Sequence, residues 1–182
     1  MRTTAIQPTG VERTFGVEEI IVSKTDPKGL ITYANDVFLR VSAYAEEEVI
    51  GKPHNVIRHP HMPRAVYQLM WDTIACGEEI FAYVVNLAGD GAHYWVLAHI
   101  TPSFDSHGRI VGYHSNRRCP DRAAVAAIEP VYLELRTIER QEPSSPAGLA
   151  ASTQRLTDLL ADRGQSYDEF VWSLASSTAV AR

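Results

Sequence analysis

Cysteine is scarce: Cys76 and Cys119 are the two thiols in 182 residues. They stand in no CxxC spacing, so neither a disulfide framework nor a zinc site is indicated. Long apolar runs are missing as well. No stretch approaches the ~20 residues that a membrane-spanning helix needs, and the first residues lack the basic-then-apolar order of a signal peptide. Membrane insertion is thereby excluded and a cytoplasmic location expected. Positive charge is also short, with 17 basic residues against 22 acidic ones and a net charge of −5. The basic residues are scattered, and Arg117-Arg118 is too brief a run to track a phosphate backbone, which excludes nucleic acid as a partner.

What the chain does have is an apolar fraction of 45%, enough for one sizeable core plus an appendage. Its organising stretch is Asn55-Val56-Ile57-Arg58-His59-Pro60-His61-Met62-Pro63. The two prolines remove backbone donors and fix φ, so Arg58 and His59 sit on a stiffened turn. Pro63 then opens an apolar-periodic helix through Ala65, Val66, Leu69, Met70 and Ile74. A rigid turn that carries Arg and His beside a helix start suits an anionic or aromatic ligand, although from spacing alone a capped helix start with solvated charges is slightly the better explanation.

Around that stretch the elements alternate in a definite order. Residues 1–17 form a polar lead-in, with a short helix expected near Val17-Glu18-Glu19. Ile20-Ile21-Val22 and Leu30-Ile31-Thr32-Tyr33-Ala34 read as two strands of a hairpin, joined by the turn sequence Asp26-Pro27-Lys28-Gly29. Short helices follow after Asn35 and over Ala45–Ile50, then the Pro63 helix, ending at Gly77. Three more strands span Ile80–Asn86, His93–Thr101 and Arg109–Asn116, the first pair turning at Gly89-Asp90-Gly91. This order predicts an α+β domain over 18–120, a five-stranded antiparallel sheet with helices massed on one face. Tyr94, Val96, Ala98 and Ile100 share one face of the long strand, and Trp95, Leu97 and His99 the other. With both faces apolar, one meets the helices or a ligand and the other a flanking helix or a second subunit.

Residues 121–141 read as a helix leaving the domain, with Val125, Ile128, Val131, Tyr132, Leu135 and Ile138 on one side. Linker chemistry occupies 142–148, and 149–182 hold a helical pair whose second helix opens on a Ser166–Glu169 capping box. So small a pair cannot bury its apolar side alone, and must dock on the domain, a second copy or a partner.

Several motifs occur together here: Tyr33-Ala34-Asn35-Asp36, Gly51-Lys52-Pro53-His54-Asn55, Arg58-His59-Pro60, Met62-Pro63, Met70-Trp71, Gly91-x-His93-Tyr94-Trp95-Val96 and Gly112-Tyr113. Jointly they resemble a PAS sensory domain, with the match running over roughly residues 17 to 135 and lying nearest the FAD-binding domain of bacterial aerotaxis (energy-taxis) receptors. The resemblance implies a non-enzymatic sensor of redox or oxygen status that binds FAD non-covalently, with FMN not distinguished. It also implies a chemoreceptor or other membrane-bound signal transducer as partner, and the apolar outer face and C-terminal helices suggest a homodimer.

Carried over one position at a time, the resemblance implies cofactor contacts from Asn35, Arg58, His59, Trp71 and Asn86. Arg58 offers a fork of donors for a phosphate or a flavin carbonyl, and the Asn86 amide can pair with a pyrimidine edge. Tyr94 is a candidate wall residue. By register His114 falls near the ring, where an imidazole could follow a flavin proton; a half-buried strand histidine explains it equally well. Two positions depart from the aerotaxis pattern, His61 for an aspartate and Ile80 for a tryptophan. They open the alternative of a haem-b gas sensor, with His59, His61, His99 and His114 as available axial ligands, and no CxxCH for covalent attachment. A third possibility is a cofactor-free interaction module. His59-x-His61 lacks the carboxylate or Cys that would complete a metal set. Cysteine-adduct light sensing lacks its Cys in His54-Asn55-Val56-Ile57.

Overall fold

The computed structural model describes residues 6–142 and 144–176. Strands β1 (Ile21–Thr25) and β2 (Ile31–Ala34) form the expected hairpin. Asp26 pins its turn, accepting at Oδ1 from the backbone N–H groups of Lys28 and Leu30, both at 2.9 Å. Helices α1 (Asp36–Ser42) and α2 (Glu46–Val49), a 3-10 turn over His54–Ile57 and helix α3 (Arg64–Ala75) come next. Strands β3 (Ile80–Leu87), β4 (His93–Phe104) and β5 (Ile110–Arg118) complete the five-stranded sheet. Its order is β2-β1-β5-β4-β3, antiparallel throughout, so the chain's first strand pairs with its last. The core is α1, α3 and the 3-10 turn packed on the inner face, through Phe38, Val41, Ile57, Val66, Met70 and Ile74.

Helix α4 (Arg122–Gln141) is expected to leave the domain; it folds back instead, setting Tyr132 against the outer face of the sheet. Trp95 stacks on Tyr132 with ring centroids 6.1 Å apart, and the Tyr132 hydroxyl donates to the Tyr83 carbonyl. Of the partners open to the C-terminal pair, the domain itself takes it. Helix α6 (Tyr167–Ser176) sets Trp172 4.8 Å from the Phe81 ring on β3, and its Ser166–Glu169 capping box forms as the spacing predicts.

Helix α5 begins at Ser145 and runs to Arg163, so much of the expected linker is helical: Ser144 caps it and Pro146 sits in its first turn. Within that linker, Pro143 lies outside the described residues, as do residues 1–5 of the lead-in and 177–182 of the C-terminal pair. Where α5 crosses α4, a Cβ on Gly148 would lie 2.5 Å from the Glu139 carbonyl oxygen, so only glycine permits the approach. The expected helix near Val17–Glu19 is a turn, closed by Gly16 N–H donating to the Glu19 carboxylate at 2.7 Å.

One carboxylate joins these layers. The N-terminus of α3 has no side-chain cap of its own, because Pro63 occupies that position. Glu139 of α4 supplies it, accepting at Oε1 from the backbone N–H groups of Arg64 (2.8 Å) and Ala65 (3.1 Å) and from the Ser152 hydroxyl of α5 (2.8 Å). The acidic group also sits at the positive end of the helix dipole.

Candidate ligand-binding site

Between the inner face of the sheet and α3 lies a cavity of about 410 Å³, within the usual range for small-molecule sites. The sheet contributes residues in strict alternation: Ser23 and Thr25 from β1, Val84 and Asn86 from β3, Ala98 and Ile100 from β4, and Tyr113, Ser115 and Arg117 from β5. Helix α3 supplies Arg64, Tyr67, Gln68, Met70, Trp71 and Ile74, and the 3-10 turn presents His54 and Asn55. Leu149 of α5 lies at the edge, so the docked C-terminal pair helps to form the wall.

The lining is chemically one-sided. Lys28, Arg58, Arg64 and Arg117 all border the cavity, and no Asp or Glu does among the described residues. Only Arg64 of the four has an acidic partner, Glu139 at 3.5 Å. The Arg58 guanidinium lies over the Tyr67 ring at 4.2 Å, and its backbone bridges to Asn86 on β3, which fixes the turn against the sheet. Several buried polar atoms there have no partner: Asn86 Nδ2, Ser115 Oγ, Thr25 Oγ1 and Arg117 Nη1. Buried donors are paired almost everywhere in proteins, so a cluster of orphans at one cavity is where a ligand or ordered water would complete the bonding.

Arg117 is 4% exposed, and its Nη2 donates to Ser23 Oγ at 2.9 Å and to His54 Nε2 at 2.7 Å. Burial, and then the nearby Arg117 charge, hold the His54 imidazole down at about 3, so it stays neutral and accepts. Burial raises the Tyr67 hydroxyl to about 12, and it too remains neutral. At the other end the walls are aromatic and aliphatic. Trp71 meets Tyr113 edge-on at 5.6 Å and lies over Gly29, whose positive φ of 79° and missing Cβ leave room for the indole.

Of the seven candidate site residues, Arg58, Trp71 and Asn86 come together at this cavity. Asn35 does not line it; its amide is committed to the backbone, with Oδ1 accepting from Phe38 N–H (2.9 Å) and Val22 N–H (3.0 Å) and Nδ2 donating to the Ile20 carbonyl (2.9 Å). Tyr94 is on the cavity face of β4 but is buried beyond the lining. His59 points away and packs on His61 and His93, with centroids at 4.7 and 5.8 Å. His114 is a correction of one residue in register: Tyr113, Ser115 and Arg117 face inward, so His114 turns to the outer face and meets Asn116 Oδ1 at 3.0 Å. None of the four histidines considered for haem lines the cavity, nor does either cysteine. Ile80, at the tryptophan position, is a buried core residue opposite Ile100.

Sequence reasoning misses Lys28, Arg64, Ser115 and Arg117 among the lining residues, and the most informative of these is Arg117. It was noted only as half of a basic pair. The available signal was its period-2 spacing from Tyr113, which places a charge on the buried face of a strand.

Comparison with known proteins decides the family: the PAS fold family matches residues 31–117. This region is a PAS domain. The aerotaxis receptor of Escherichia coli (strain K12) is 43% identical over 115 residues, covering 63% of this chain and 22% of that protein. The nitrogen fixation regulatory protein of Klebsiella pneumoniae is 30% identical over 99 residues, 54% of this chain and 20% of the relative. The chain thus spans about a fifth of the length of these relatives. Among solved structures, a light-oxygen-voltage domain studied with a flavin analogue superposes with a TM-score of 0.54 at 22% identity, covering 68% of this chain and 87% of that one. The light-state Aureochrome1 light-oxygen-voltage domain gives 0.53 at 24%, covering 65% and 91%. These likenesses establish the PAS fold. No helix among the described residues is long and apolar enough to cross a membrane.

Proposed function

We propose that this PAS domain binds a flavin, FAD, non-covalently and senses redox or oxygen status without turnover of a substrate. The observation that carries the reading is the cavity's chemistry: cations without carboxylates in a chain of net charge −5, and orphaned donors beside aromatic walls. An isoalloxazine ring has a matching profile, flat and apolar at its benzenoid end and rich in acceptors at its pyrimidine end. Asn86, Ser115 and Arg117 would meet the acceptors, while Trp71 and Tyr113 wall the ring. Lys28, Arg58 and Arg64 would hold the diphosphate, Arg58 and Arg64 through guanidinium forks. When bound, a flavin supplies reversible uptake of electrons.

Likeness to the aerotaxis receptor supports FAD as the flavin and a chemoreceptor-type, membrane-bound transducer as the recipient of the signal. A homodimer through the outer face requires α4 to leave the sheet, since Trp95 and Tyr132 already fill that contact. Light scattering of the purified chain reads the association state.

The test is an absorption spectrum of the purified protein before and after dithionite. Twin bands near ~370 and ~450 nm that bleach on reduction are expected, with FAD identified by chromatography after heat release. A colourless protein that takes up no added FAD overturns the reading.

A further inference from the structure

The buried guanidinium of Arg117 has no counter-charge. Each element packed around it presents a neutral group: the Ser23 hydroxyl from β1, the Phe38 ring from α1 at 5.8 Å, the His54 imidazole from the 3-10 turn, and the phenols of Tyr67 on α3 and Tyr94 on β4. The other charges acting on those phenols are Arg58, over Tyr67, and Arg13, near Tyr94, and both have the same sign. Burial draws the Arg117 side chain down only to about 10, so it is cationic at neutrality. A buried cation without an anion is costly. Two of its donor nitrogens are distinguished by what they meet. Nη2 is satisfied by Ser23 and His54, whereas Nη1 is buried with no partner. A ligand with a merely neutral acceptor would complete the hydrogen bond and leave the charge unanswered.

We infer that Arg117 sets the charge of the ligand's reduced form: it favours two-electron-reduced flavin with N1 unprotonated, whose negative charge on the N1–C2=O edge answers the guanidinium. This rests on the flavin reading above. The balance of the step is simple. Oxidised flavin gains two electrons and one proton, equivalent to a hydride from a hydride donor or to two one-electron reductions with one solvent proton. The N5–H bond forms, the donor is oxidised, and no proton goes to N1. Arg117 touches the cofactor but passes no proton, and its role is electrostatic.

Proton stoichiometry tests this directly. The full chain is loaded with FAD, and its midpoint potential is followed by spectroelectrochemical titration from about pH 5 to about pH 7. With one proton per two electrons, each tenfold change in proton concentration moves the potential by about 30 mV. That slope is expected to hold down to the acid end in the wild-type protein, and to become about twice as steep there in Arg117→Met. Arg117→Lys keeps the charge and is expected to restore the shallow slope. Should Arg117→Met fail to retain flavin, the wild-type slope and Arg117→Lys still decide. A wild-type slope that steepens at the acid end, as for a flavin taking two protons, overturns the role of Arg117 and leaves flavin binding standing. Equal slopes in wild-type protein and flavin-loaded Arg117→Met do the same. Failure of the wild-type chain to bind any flavin overturns both.

Discussion

The two faces of the sheet use aromatic residues differently. On the outer face Trp95 lies against Tyr132, and the Tyr132 hydroxyl is spent on the Tyr83 carbonyl. On the inner face Trp71 and Tyr113 border the cavity beside Asn86, Ser115 and Arg117, each with one buried polar atom unpaired. The outer face therefore contributes stability, and the inner face leaves polar groups unanswered. Residues from the two faces should respond oppositely to substitution.

The largest effect belongs to the outer face. Tyr132→Ala removes a buried ring and a buried hydrogen bond, and about 3–5 kcal/mol of unfolding free energy should be lost in urea titration. Glu139→Ala comes next, with about 1–2 kcal/mol expected from the lost cap on α3. That variant should also speed proteolysis at the α4–α5 junction. The inner face should reverse the sign: Arg117→Met replaces an unpaired buried charge with an apolar chain of similar length, and a gain of about 1 kcal/mol is expected in ligand-free protein. A loss of stability in Arg117→Met would break the comparison.

The smallest effect at neutrality is pH-dependent. Burial first, then His61, His93 and Arg136, hold His59 down at about 4 against an ordinary value of 6.5. The unfolded chain takes up the proton first as pH falls, so this contribution is whole above about pH 6.5 and drains away toward about pH 4. His59→Gln should flatten that part of a stability–pH curve without altering the plateau slope above it.

Much of this was legible from the residues. Turn chemistry at Asp26–Gly29 and the alternation in β4 located the sheet, and the proline-bounded stretch placed Arg58 at the cavity. What failed did so for physical reasons. A strand's faces alternate at every residue, so a slip of one moved the expected histidine outward and hid Arg117. Helix α4 reads as amphipathic wherever it goes, and nothing local distinguishes leaving the domain from folding back on it. The cap on α3 was invisible because its donor and acceptor are 75 positions apart in sequence.

That distant cap ties a wall of the cavity to the C-terminal helices. Glu139 ties the start of α3, a cavity wall, to α4 and α5, whose Leu149 closes the edge of the same cavity. Anything that binds more tightly when α3 is held raises the cost of lifting α5, and by linkage a partner that captures α5 weakens that ligand by the same factor. For any such ligand and partner the carboxylate would be an exchange point, where affinity at the cavity trades against release of the C-terminal helices.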